Sequence, residues 1–237
     1  MPLGRWAAYL FPFRRLRLEW SLRHLPSPGR GAKLLDIGCG NGEFVRFASS
    51  LGWDAQGLEP DPKAVAVARK SGEAVAQGGF PRTGLPDRQF DAVTLNHVIE
   101  HVHDPVGALR EVRRILKPGG AIWIATPNLD GAGFHLFREH WLSLDPPRHL
   151  MIFNASSLAM ACERGGFANA ALRKPPPGSA AVFLPSLKLL RDQDPTRWKG
   201  EALPWALRWR ARWADLEAAL AAGKGEELIF TATKPKG

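Results

Sequence analysis

At 237 residues the chain suits one α/β domain with a modest insertion, and 45% hydrophobic with 23% charged residues exclude a disordered chain. Two cysteines exclude a disulfide framework and predict a reducing, cytoplasmic setting. Lysine and arginine outnumber the acids by 32 to 23, and the net charge of +9 predicts affinity for polyanions or anionic surfaces, with nucleic acid, acidic lipid and an anionic substrate all open.

Residues 1–30 form a basic, aromatic segment ahead of the main body at 31–237. Trp6, Tyr9, Leu10, Phe13, Leu16 and Trp20 lie among Arg5, Arg14, Arg15, Arg17 and Arg23. Pro12 opens a helix predicted to run to about His24. Its plain reading is an aromatic side packed on the domain with the arginines in water. The sharper readings are a cap over a substrate pocket or a peripheral contact with a membrane surface. The arginines interrupt any secretory apolar core. The longest uncharged run, Pro175–Leu187, is broken by proline and glycine, so neither a leader nor a membrane span is expected.

Lys33 to Phe44 reads KLLDIGCGNGEF. The apolar run Leu34, Leu35 and Ile37 predicts a buried parallel strand. Gly38, Gly40 and Gly42 then allow a sharp turn with no Cβ between backbone and ligand. Helical spacing over Glu43–Leu51 puts this turn at a helix N-terminus, the geometry of a nucleotide-type site. A second strand, Asp54–Leu58, ends at Glu59, which follows Gly38 by 21 positions. An acid about 20 residues on is placed to accept from both ribose hydroxyls of a bound nucleotide. A helix over Lys63–Lys70 and a third strand over Ala74–Gln77 lead to Gly78, Gly79 and Phe80, where backbone and ring would border an adenine.

A fourth strand, Phe90–Leu95, ends at Asn96 and His97. A helix over Pro105–Leu116, a turn at Lys117–Gly120 and a fifth strand over Ala121–Ala125 follow. Strands alternating with helices predict a doubly wound parallel sheet. Residues 130–153 show no period and read as an irregular, functional excursion on the acceptor side. Asn154 caps a helix to about Arg164, and strands are predicted at Phe167–Leu172 and Glu227–Thr233. The helical insertion 174–225 lies between them. Its residues Trp205, Trp209, Trp213, Leu216 and Leu220 recur at helical intervals and are expected to pack in the core, with a Trp-lined acceptor pocket or a membrane-interface face as the second reading.

Five motifs in order, LLDIGCGNGEF at 34–44, GLEPDP at 57–62, FDAVTLNHVIEHVHDP at 90–105, LKPGG at 116–120 and ATPN at 125–128, resemble the class I S-adenosylmethionine-dependent methyltransferases, and most of all the group similar to ubiquinone-biosynthesis O-methyltransferases. DPPRHLMIF at 145–153 resembles a subset of that group. The resemblance implies a seven-stranded Rossmann-like sheet whose last strand is antiparallel. It implies that Gly38, Gly40 and Gly42 border the methionine moiety and that Asp36 holds its ammonium directly or through water. It gives the ribose to Glu59, the adenine to Gly79 and Phe80, and closure of the site to Asn96 and His97. Many relatives carry an acid near position 79, where this chain has Gly78-Gly79, so the adenine contact rests on backbone and stacking. The rival nicotinamide reading needs G-x-x-G where this loop has G-x-G.

Methyl transfer to a hydroxyl needs alignment of the nucleophile and removal of its proton. His101 and His149, then His97, are the candidate bases. His97, Glu100 and His101 also raise a divalent metal site: polyprenyl-quinone methyltransferases resembling this chain carry an acid-x-x-Glu-His run there, and the imidazoles favour zinc. The same string matches a zinc peptidase pattern that belongs on a longer helix, and is read as coincidence. The acceptor expected is a small or amphipathic molecule. RNA methylation is the alternative suggested by charge, although no recognition module supports it, and a non-catalytic cofactor-binding module is the other alternative.

Overall fold

The apolar runs become strands in the computed structural model, which describes residues 12–194, 196 and 201–236. The strands are β1 (Lys33–Ile37), β2 (Asp54–Glu59), β3 (Val75–Gln77), β4 (Phe90–Asn96), β5 (Leu116–Pro127), β6 (Ala168–Arg173) and β7 (Glu227–Thr233). They form one sheet in the order β3-β2-β1-β4-β5-β7-β6, six strands parallel and one antiparallel. The order reverses between β1 and β4, and in such sheets the crevice at the strands' carboxyl ends there receives ligands.

The helices are α1 (Pro12–Ser21), α2 (Glu43–Ser50), α3 (Pro62–Lys70), α4 (Pro105–Ile115), α5 (Ala132–Phe137), α6 (Ala155–Arg164), α7 (Ser179–Asp192) and α8 (Trp205–Leu220). Local chemistry starts them where the sequence predicts. Asp61 accepts from the Lys63 N–H and Asp104 from the Gly107 N–H, each just ahead of a proline in the first turn. Among the described residues no helix is long and apolar enough to cross a membrane.

The chain forms two compact units. One comprises α1, Thr126–Ser156 and Leu172–Ile229; the other comprises Leu22–Ala125, Ser157–Ala171 and the chain from Phe230. The second unit holds the core in which Leu34, Val45, Trp53, Val65 and Ala92 meet between sheet and helices. The first unit has its own core of Phe137, Trp141, Phe183, Leu187, Ala211 and Ala214, with Phe137 edge-on to Phe183.

Four expectations are corrected. The helix expected to reach His24 ends at Ser21, because Arg23 and His24 both take left-handed backbone (φ 49° each). Arg23, expected in water with its neighbours, is buried. The turn expected at Lys117–Gly120 is instead part of β5: Gly119 N–H donates to the Lys234 carbonyl and Lys234 N–H to that of Gly120, so the segment pairs like a strand. The stripe expected in the core is on the surface, with Trp205, Trp209 and Trp213 at 71%, 61% and 65% exposed and Leu216 and Leu220 also exposed. Helix α8 packs through Ala211, Ala214 and Ala218, whose small side chains permit close approach, so its tryptophans face outward. The excursion at 130–153 is also more ordered than its composition suggests, since it holds α5 and two turns of 3₁₀ helix. Trp6, Tyr9 and Leu10 lie outside the described residues.

Candidate functional site

In the second unit, β1 runs directly into the glycine loop, and Gly38, Gly40 and Gly42 all take positive φ (69°, 55° and 79°). The space around them differs. A Cβ on Gly38 would lie 2.5 Å from Val98 Cγ2, so this glycine admits the chain leaving β4. A Cβ on Gly40 would meet nothing within 4 Å, so that side of the loop is open to a ligand.

Glu59, at the end of β2, is buried and braces this loop. One carboxylate oxygen accepts from the Gly40 N–H at 2.8 Å and the other from the Asp61 N–H at 3.0 Å. Each oxygen keeps a further lone pair for a hydroxyl donor. Gly78 N–H donates to the Glu59 carbonyl, which brings Gly79 and Phe80 to the same strand ends, Gly79 exposed and Phe80 half-buried. Cys39 packs where a Cβ on Gly57 would have to be. Burial first, then the negative charges of Asp36 and Glu59, push its thiol up to about 12, so it stays protonated and is no nucleophile.

Asp36 lies beneath the loop in a partnership that sequence reading missed. It is 2% exposed and bonded by both Arg23 and Thr94, the Thr94 hydroxyl donating at 2.8 Å. The register of β1 against β4 sets Asp36 beside Thr94. The Arg23 guanidinium is 3.4 Å from the Phe44 ring centroid and 5.2 Å from that of Trp123. Burial lowers the Arg23 pKa and the Asp36 charge opposes that; an arginine stays charged regardless.

At the end of β4, His97 adopts left-handed backbone (φ 54°), a conformation uncommon for a side-chain-bearing residue and concentrated at functional sites. Its Nδ1 is 3.1 Å from Oε1 of the fully buried Glu100. The Asn96 side-chain oxygen is buried without a hydrogen-bond partner, as expected of a group whose partner arrives with a ligand. His101 follows on the 3₁₀ turn and is exposed. Among the described residues, His97, Glu100 and His101, raised from the sequence only as a minority reading for a metal, do not bring three ligand atoms within 4.8 Å of one another. The open side of Gly40, the Glu59 carboxylate and the unpaired Asn96 oxygen fit a nucleoside-bearing cofactor with hydroxyl and amine donors.

His149 belongs to the first unit. The DPPRH segment is a turn built on Asp145, whose carbonyl accepts from the His149 N–H and whose carboxylate accepts from Arg148. His149 Nδ1 lies 2.7 Å from the Ser143 carbonyl, which can only accept, so Nδ1 carries the proton and Nε2 is the basic nitrogen of the neutral ring. In the same unit Asp130, His135, Trp209, Arg210, Trp213 and Lys224 line a cavity of about 640 Å³.

Sequence reading also passed over Glu226, which is buried and accepts from the Gly133 N–H at 2.9 Å. The Gly133 N–H and the nearby Trp141 side chain both act to lower the Glu226 pKa. Burial pushes the Glu226 carboxyl up to about 7 from an ordinary 4.5. Between those values the folded chain holds a proton that the unfolded chain has lost, so the stability is present below 4.5 and is lost as pH rises through 7. Glu226→Gln keeps an acceptor for Gly133 without the charge. In thermal melts it is expected to gain about 2–3 kcal/mol over the parent at pH 8, with the gain mostly gone at pH 5. A pH-independent difference would place the titration elsewhere.

A family model described as a methyltransferase domain matches residues 8–172. The ubiquinone biosynthesis O-methyltransferase of Xanthomonas oryzae pv. oryzae is 36% identical over 113 residues, 45% of this chain and 47% of that protein. The chain thus spans about half the length of the curated relatives it matches. Among solved structures, phosphoethanolamine N-methyltransferase 2 of Haemonchus contortus in complex with S-adenosyl-L-methionine is similar at a TM-score of 0.64 and 21% identity, over 96% of this chain and 56% of that one. The cyclase SpnF is similar at a TM-score of 0.59 and 24% identity, over 93% of this chain and 82% of that one. One fold thus serves both methyl transfer and a cyclisation, and activity has to be argued from the site.

Proposed function

The chain belongs to the methyltransferase domain family, in the class I S-adenosylmethionine-dependent group, and from that premise we propose that it moves a methyl group to a hydroxyl oxygen of a small or amphipathic acceptor. The bound cofactor supplies an electrophilic methyl on a sulfonium. In this reading Glu59 takes the ribose hydroxyls, Gly79 and Phe80 border the adenine, and the open side of Gly40 admits the cofactor against the loop. Gly38 and Gly42 shape the turn. Asp36, 2% exposed and bonded by Arg23 and Thr94, supports the loop that meets the amino-acid end rather than making the direct ammonium contact that the resemblance implies. Asn96, with its buried unpartnered oxygen, and His97 close the site.

The observation that carries the cofactor reading is the cradle formed by the Glu59 carboxylate, the open side of Gly40 and the buried, unpartnered Asn96 oxygen. His101, on the turn that follows β4, is the base proposed for the hydroxyl proton, with His149 and His97 as the alternatives. The naming of the curated relatives as O-methyltransferases supports oxygen as the acceptor atom. Both cysteines are free thiols, which supports a reducing, cytoplasmic setting.

The test is incubation of the purified chain with S-adenosylmethionine bearing a deuterated methyl group and a small-molecule extract, followed by mass spectrometry. Label on an oxygen of a small acceptor is the expected outcome. Label on RNA, or on nitrogen, would replace the hydroxyl assignment. Absence of cofactor binding in calorimetry at millimolar ligand would remove the enzyme reading itself.

A further inference from the structure

Helix α8 places five large apolar side chains in water. Trp205, Trp209, Trp213, Leu216 and Leu220 are all exposed, while Ala211, Ala214 and Ala218 satisfy the packing side. Side chains three and four apart share a helix face, so the five form one apolar stripe. A stripe of this kind is not needed for folding and marks a contact surface. Arginines flank it. Arg208, Arg210 and Arg212 are exposed, and the Arg212 guanidinium lies 5.2 Å from the Trp209 ring centroid.

Helix α1 is from the far end of the chain but touches α8 within the same unit. It adds an exposed Phe13 and exposed Arg14, Arg15 and Arg17. Between them α1 and α8 carry six arginines against three acids, Glu19, Asp215 and Glu217. The two basic, aromatic stretches that stand far apart in sequence are thus neighbours in the fold.

We propose that this α1–α8 surface docks on a bilayer containing anionic lipid, with the tryptophans at the headgroup–acyl boundary and the arginines on lipid phosphates. Tryptophan prefers that boundary because its ring is apolar and its N–H polar. Arginine side chains lay their apolar stems along such a surface while the head stays at the phosphates. Charge complementarity decides among occupants. A second copy in a two-fold interface would set this net-basic patch, six arginines against three acids, against itself. A single-stranded nucleic acid would call for stacking aromatics within a basic groove, whereas the cavity that Trp209 and Trp213 help to line sets Asp130 and Glu217 beside Arg210 and Lys224. The proposal is independent of the acceptor atom assigned above.

The test is flotation of the full chain with phosphatidylcholine vesicles, with and without about 30 mol% phosphatidylglycerol, at low and high salt. The parent is expected to float with the anionic vesicles alone and to be released by salt. The variant W205S/W209S/W213S, with a thermal midpoint near that of the parent, is expected to bind about tenfold or more weakly. The variant R208Q/R212Q, which leaves the tryptophans in place, is expected to lose about fivefold or more on anionic vesicles only. A parent that ignores both vesicle types overturns the proposal. So does a folded tryptophan variant that floats like the parent, a parent that binds single-stranded RNA but no vesicles, or a parental dimer that the tryptophan variant converts to monomer.

Discussion

Replacing Glu59 with alanine is expected to weaken S-adenosylmethionine binding by about a hundredfold or more, corresponding to about 3 kcal/mol. The carboxylate holds the Gly40 and Asp61 N–H groups at 2.8 and 3.0 Å. Charge-assisted hydrogen bonds of this kind are each worth about 1.5–3 kcal/mol, and their loss frees the turn that must meet the cofactor. The same truncation deletes the acceptor proposed for the ribose hydroxyls. Calorimetric titration measures the effect directly, with the thermal midpoint recorded alongside. Glu59→Gln, which retains one acceptor oxygen and loses the charge, should fall between parent and alanine variant. Equal affinity of parent and Glu59→Ala would show that neither the brace nor the ribose contact exists.

Arg23→Ala is expected to destabilise the fold by about 3–5 kcal/mol, the range for removing one partner of a buried ion pair. Asp36 would be left charged and almost fully buried, with the Thr94 hydroxyl as its remaining bonded partner of the two described. The guanidinium also fills the space against Phe44 and near Trp123, so its loss opens a cavity in the second unit. Urea unfolding gives the number. The double variant with Asp36→Ala should recover part of the loss, because it removes the stranded charge, and the cycle isolates the pair. A loss below about 1 kcal/mol for Arg23→Ala would mean that the pair contributes no more than a surface salt bridge.

The sheet was readable from the chain because each strand advertises itself locally. Leu34, Leu35 and Ile37 make a short apolar run carrying one acid, and Gly38 stops the run. Glu59 was readable because a strand and a short helix set the distance between the glycine turn and the next strand end. Arg23 was not. Its neighbours Arg14, Arg15 and Arg17 have the same side chain and the same local setting, and they stay exposed. The difference is Asp36 and Thr94, 13 and 71 residues away. Glu226 and Glu227 are equally alike in sequence, yet only Glu226 meets the Gly133 N–H in an apolar setting.

Helix α8 shows where periodicity stops. Tryptophans at 205, 209 and 213 and alanines at 211, 214 and 218 both recur at helical spacing, so the sequence specified two faces without saying which one the core takes. Hydrophobicity alone favours the tryptophans. Packing took the other face, since Ala211 and Ala214 lie in one close-packed cluster with Phe137, Trp141 and Phe183. By itself, then, the sequence determined the strands, the glycine turn and the family to which they belong, because backbone freedom and short-range periodicity are local properties. Which arginine is buried, which acid holds its proton near neutral pH and which side of α8 meets solvent were decided by tertiary structure alone. Burial and charge pairing depend on residues that are neighbours only after the chain has folded.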